Sequence, residues 1–146
     1  MSTPGADNPT ALAPRVLNDM PQDELEHLAE EFGLEPGGYK ERGALLTALA
    51  ERRQMIAAMD REAMLDVIKW GRRPVSANAT KEQLAQEIVK IKSMRFEGLS
   101  ERGLVVLAFL RNVDVRPSDH VPTLVKKLKK QEGFFAKINR KRRSWL

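Results

Sequence analysis

The feature that most limits what this chain can fold into is a three-fold internal repeat. Met20, Met59 and Leu99 serve as anchors, spaced 39 and 40 residues apart. Five, eight and nine residues after each anchor stand Leu25/Leu28/Ala29, Met64/Val67/Ile68 and Leu104/Leu107/Ala108. At 25, 26 and 29 residues stand Leu45/Leu46/Leu49, Leu84/Ala85/Ile88 and Leu124/Val125/Leu128. All eighteen positions are apolar. Any amphipathic helix carries a local i, i+3, i+4 stripe. Unrelated helix pairs would not keep the same distance between first and second stripe three times, and a fixed period of this length marks a helical repeat. The pattern therefore predicts an all-α chain of three copies of one small helical unit. Leu25, Leu28, Leu45, Leu49, Met64, Val67, Leu84, Ile88, Leu104, Leu107, Leu124 and Leu128 should be buried, with no β-sheet.

Turn and cap signals divide each unit. In the first, a helix is expected from about Pro21 to Phe32, with Pro at the first turn and Asp23 and Glu24 at the positive helix end. Gly33 stops it, and the breaker-rich Leu34-Glu35-Pro36-Gly37-Gly38 leads to a second helix from about Lys40 to Ile56. The second unit opens on Asp60 as cap and breaks at Gly71. After the connector Arg72 to Ala79, Thr80 with Gln83 three residues on forms a capping-box pattern, predicting a helix to about Met94. Ser100 caps the third unit, whose first helix should reach about Asn112. Its second helix should begin near Ser118 or Asp119. Met55, Met94 and Phe134, all 35 residues after an anchor, are expected to pack between repeats with Ile56, Phe135, Trp70 and Leu110. The implied organisation is a disordered tail (1–16), repeats at 17–57, 58–97 and 98–138, and a basic C-terminal tail (139–146).

These residues resemble the helix–extended-loop–helix group that includes SAP motifs, LEM motifs and the small N-terminal domain of the terminator Rho. Met20-Pro21-Gln22-Asp23-Glu24-Leu25 through Gly33-Leu34 is similar to the Rho-type opening helix. Gly37-Gly38-Tyr39-Lys40 leading to Ala44-Leu45-Leu46 resembles the SAP second-helix entry. Pro74-Val75-Ser76 followed by Thr80-Lys81-Glu82-Gln83-Leu84 is close to it as well. The third repeat departs from the pattern, with Asp119 and Pro122 where glycine and lysine would stand. The resemblance implies a helix–extended-loop–helix fold and DNA binding, as SAP motifs generally show, or a protein partner, as LEM motifs generally do.

Charge narrows the choice. The net charge of +5 hides a gradient: residues 1–57 carry −5, residues 58–97 carry +2, and residues 98–146 carry +8. Such asymmetry points to one polyanion-facing end. Nine Lys/Arg (Lys126, Lys127, Lys129, Lys130, Lys137, Arg140, Lys141, Arg142, Arg143) face Glu132 alone between Lys126 and Leu146. Phosphate backbones attract such a density by counterion release, and Arg can fork onto phosphate oxygens. The plainer reading is a solvated helix face and a frayed end. Trp145 offers a stacking face to an unpaired base, although a loosely packed terminal aromatic is the simpler account. Helix N-termini bind phosphate through unpaired N–H groups, which makes Arg72, Arg73 and Lys81, at the second helix entry of the second unit, and Arg116 further candidates. Lys40 and Arg42 hold the matching place in the first unit, but Glu30, Glu31, Glu35 and Glu41 surround them and would repel phosphate.

Catalysis is not expected. His27 and His120 are the only histidines, there is no cysteine, and no phosphate loop, nucleophile elbow or paired-histidine motif occurs. Cysteine-free composition fits a cytoplasmic location, nucleoid-associated in a bacterial cell. Met1 to Pro14 lacks the basic and apolar regions of a signal peptide, and the longest apolar run, Leu104 to Leu110, is too short for a membrane span. The reading that follows is a non-enzymatic nucleic-acid-binding protein with no cofactor, DNA favoured and RNA possible. It would grip the phosphate backbone through repeat 3, the tail and the second connector. The alternative is an assembly module whose basic tail docks into a larger complex, with or without RNA, and whose acidic first repeat takes a protein partner.

Overall fold

A computed structural model of the chain describes residues 16–131. Among them are six α-helices and no strand: α1 Gln22–Glu31, α2 Arg42–Ala58, α3 Arg61–Trp70, α4 Lys81–Val89, α5 Glu101–Leu110 and α6, residues 121–131. Short 3-10 turns at Leu17–Asp19 and Pro36–Gly38 precede α1 and α2. The expectations for residues 1–15 and 139–146, and those for Phe134 and Phe135, lie outside the described residues.

Side chains begin three of these helices as the sequence predicts. Asp60 accepts from the Ala63 N–H and Ser100 from the Gly103 N–H. Thr80 and Gln83 form a reciprocal capping box, with each side chain satisfying the other's backbone N–H. These contacts occupy donors that helix geometry leaves unpaired, each at about 1 kcal/mol.

The helix ends recur more strictly than the sequence suggests. Thirteen residues after the three anchors stand Gly33, Arg72 and Asn112, all in the left-handed region with φ of 82°, 54° and 63°. The next residue's N–H reaches back five positions each time. Leu34 donates to Ala29 O at 2.8 Å, Arg73 to Ile68 O at 3.0 Å, and Val113 to Ala108 O at 2.9 Å. This is the Schellman closure, here made by three different residue types at one offset.

The apolar offsets form the core. Of the twelve side chains expected inside, eleven are buried; Leu28 is partly buried against the same cluster. Helix α3 packs on both α4 and α5, and α2 packs on α1 and α4. Leu49 is wholly enclosed, so Leu49→Ala should cost about 2–4 kcal/mol in urea unfolding. A loss below about 1 kcal/mol would show that α2 is not packed as described.

Helix α2 and the end of α1 also meet the C-terminal end of α5 directly. Arg52 of α2, only 4% exposed, donates to Phe109 O at 3.1 Å and to Asn112 Oδ1. Asn112 Nδ2 in turn donates to Gly33 O at 2.8 Å. Burial pulls the Arg52 guanidinium below its ordinary value, yet it keeps its proton, and the negative end of α5 suits the charge. At the other end of α5, Arg102 reaches Asp66 of α3 at 2.7 Å, and Ser100 Oγ donates to the same carboxylate at 2.6 Å. Arg102 first and Ser100 second hold the Asp66 carboxyl below the usual range. A carboxylate with a depressed folded pKa stabilises the fold above its unfolded pKa, and that contribution disappears as pH falls through the folded value. The thermal midpoint should therefore drop on acidification below about pH 4. Asp66→Asn should make the drop shallower; an unchanged profile would contradict this role.

Several expected boundaries move. Helix α2 starts at Arg42 rather than Lys40, because the Pro36–Gly38 turn lengthens the connector. Helix α5 ends at Leu110, with Asn112 already in the left-handed cap. Helix α6 is helical from residue 121. The largest shift is in α4, which ends at Val89 rather than Met94. Arg111 captures the Ile91 and Ser93 carbonyls at 3.0 and 3.2 Å. Ile91 also closes over Gly71, where an added Cβ would lie 2.3 Å from its side chain. Met94 is only half-buried and outside the core, whereas Ile91 and Phe96 are buried in it, against Gly71 and Trp70.

Candidate nucleic-acid interface

Helix α6 owes its orientation to two leucines. Leu124 and Leu128 are fully buried one turn apart, which fixes the inner face. Lys126, Lys129 and Lys130 then fall on the outer side, all exposed. None of the three makes an ion pair with a described residue. Lys127 differs: it is half-buried and donates to Asp119 Oδ2 at 2.7 Å and Asp114 O at 3.0 Å. Lys127, and next the Arg116 N–H, hold the Asp119 carboxyl below the usual carboxylate range. Arg116 is exposed and lies 3.2 Å from Asp114. Lys127 thus braces the helix, while the other three lysines present charge to solvent.

The cations of the second connector part ways. Arg73 forks onto Glu87 Oε1 at 3.2 and 2.8 Å, and Lys90 reaches Oε2 at 2.8 Å. Lys90 chiefly, then Arg73, holds that carboxyl low. Lys81 Nζ donates to Ala57 O at 3.0 Å, at the end of α2. Arg72 alone stands exposed, on its left-handed backbone. The capping box already occupies the Gln83 N–H, so an incoming phosphate at the α4 terminus would compete with Thr80.

In the first unit, Arg42 is structural. It donates to Met20 O at 2.6 Å and Asn18 O at 3.1 Å, tying the start of α2 to the chain before α1. Lys40 is exposed, and α1 presents Asp23, Glu26 and Glu30 to solvent, with His27 lying 3.6 Å from Glu31. A shallow cavity of about 430 Å³ on this acidic face is lined by Met20, Leu28 and their charged neighbours.

Lys137, Arg140, Lys141, Arg142 and Arg143 lie outside the described residues. Sequence reasoning overlooked Lys69, Lys92 and Arg95, which are exposed around the C-terminal end of α3 and the segment that follows α4. The signal was a run of Lys90, Lys92 and Arg95 with no acid among residues 88–96, hidden by the expectation that the helix continued there. No helix among the described residues is long and apolar enough to cross a membrane. Comparison with protein-family models, curated proteins and solved structures finds nothing that matches this chain.

Proposed function

We propose that this chain is a non-enzymatic nucleic-acid-binding protein of three tandem SAP-like units, gripping the phosphate backbone mainly through its third unit and basic tail. The observation that carries the reading is the outer face of α6. Lys126, Lys129 and Lys130 are exposed within one turn and carry no counter-charge from a described residue. Bringing three like charges together without acidic partners disfavours the isolated molecule and favours a polyanion. The left-handed cap supports the three-unit description through its shared offset of thirteen residues from each anchor, since such caps by themselves end many unrelated helices. DNA is favoured through the SAP resemblance; phosphate contacts alone would serve RNA equally.

The second reading, an assembly module, draws on the acidic face of α1 and its apolar-floored depression, which suit a basic protein segment. A gel-shift titration over a salt series with duplex DNA, single strands and structured RNA distinguishes the two. Nucleic-acid binding predicts steeply salt-dependent shifts that the Lys126/Lys129/Lys130→Ala triple variant weakens. Shifts that ignore both salt and the triple variant would sink it.

A further inference from the structure

The segment after α4 is a loop only in name. Ile91 and Phe96, 6% and 7% exposed, anchor its two ends in the core. Phe96 stacks on Trp70 with ring centroids 6.2 Å apart, and Trp70 Nε1 donates to Glu97 O at 3.2 Å. Arg111 lies 5.9 Å from the Phe96 ring centre while holding the Ile91 and Ser93 carbonyls. Ser93 Oγ accepts from the Arg95 N–H at 3.2 Å and pins the bend between them. Lys92, Ser93 and Arg95 are left facing solvent on a fixed backbone.

Packing carries this segment past the C-terminal end of α3, where Lys69 and Arg72 are exposed. Ile91 covers Gly71, and Phe96 covers Trp70. Arg72, Lys92 and Arg95 have no acidic partner among the described residues. Of the nearby carboxylates, Glu87 is already bound by Arg73 and Lys90, and Asp66 by Arg102. Glu35 and Glu97 remain as exposed neighbours. Lys92 also lines a cleft of about 150 Å³ with Gln131, the last described residue of α6. The lysine face of α6 therefore ends beside the segment that leads to Arg72.

We propose that Lys92 and Arg95, with Lys69 and Arg72, form a second phosphate-binding station, and that one polynucleotide backbone runs from the outer face of α6 across it. The inference rests on the nucleic-acid reading above and extends it to the second unit. A preorganised station loses little entropy on binding, which is what the anchored bend provides.

The test uses the full chain with Lys92→Ala/Arg95→Ala, the α6 triple variant, and both together, on duplex DNA, single-stranded DNA and RNA of increasing length. Far-UV circular dichroism confirms that each variant is folded. The station predicts that the double variant lowers the salt slope by about 1–2 on long ligands. It also predicts no difference from the parent on ligands too short to reach beyond α6. A double variant with the parent's slope and length profile overturns the station while the α6 reading stands. A double variant that loses the long-ligand slope, beside an α6 triple variant that loses nothing, keeps the station and overturns the α6 assignment. A parent that binds no polynucleotide overturns both. The ligand arms report which backbone the track accepts.

Discussion

Gly33→Ala is expected to destabilise the protein by about 2–5 kcal/mol, whereas Arg72→Gly, at the equivalent position, should stabilise it by up to about 1 kcal/mol. Both residues hold the left-handed backbone that closes a first helix, at φ 82° and 54°. Backbone strain alone is therefore tolerable in this fold, since Arg72 bears it. Gly33 has a second constraint. A Cβ there would lie 2.6 Å from the Leu110 carbonyl oxygen and 3.3 Å from Val89 Cγ2. The first is backbone at the end of α5 and cannot rotate away, so relief requires the ends of α1 and α5 to separate. That separation would also pull Asn112 from Gly33 O and Arg52 from Phe109 O. Arg72 is exposed, and glycine there removes left-handed strain at some cost in unfolded-chain entropy. Urea unfolding of the three proteins decides it, with m-values confirming a common unfolded state. If Gly33→Ala falls within about 0.5 kcal/mol of the parent, the ends of α1 and α5 do not meet at this corner.

That corner also marks where sequence reasoning stops. The apolar offsets recover the all-α class, the six helices and fifteen of the 27 buried apolar residues among those described, because burial of a helix face is written directly into a 3.6-residue period. Asp60, Thr80 and Ser100 announce their helices through local hydrogen-bond chemistry. The ends of helices are harder. Gly33 reads as a stop and Asn112 is a residue type that takes this conformation, but Arg72 holds it without such a signal. Helix α4 ends at Val89, and the chain beyond it is held from outside by Arg111, just past the end of α5, which takes the Ile91 and Ser93 carbonyls. No pattern within residues 80–94 contains that information.

The candidate site divides along the same line. The Lys126/Lys129/Lys130 face follows from Leu124 and Leu128 by helical spacing, so it was visible as a run of lysines around buried leucines. Which cations are already engaged was not visible. Arg73, Lys81 and Lys127 look equivalent to Arg72 and Lys126 in sequence. Each is committed to a partner 8 to 24 residues away: Arg73 to Glu87, Lys81 to Ala57 O, Lys127 to Asp119. Charge density can be counted along a chain, whereas charge availability depends on packing.

Affinity for duplex DNA should accordingly fall with a log K against log salt slope of about −4 to −5, if about 4–6 of the nine cations between Lys126 and Arg143 are engaged. Raising salt from about 50 to 200 mM would then weaken binding by about 250–1,000-fold. The Arg140/Lys141/Arg142/Arg143→Ala variant should flatten the slope and weaken all sequences alike, as expected of contacts that position rather than read bases. Arg72→Ala should add a smaller loss. Arg73→Ala should act chiefly on stability, because it frees Glu87 instead of removing an available cation. Lys40→Ala should leave affinity unchanged, since exposed Lys40 stands between Glu35 and Glu41 in the acidic first part of the chain. The assembly reading predicts weak, non-cooperative association with any polyanion and tight binding kept for a basic protein segment on α1. Equal binding by the quadruple tail variant and the parent at low salt would rule out the tail as a phosphate contact and leave α6 to carry the affinity alone.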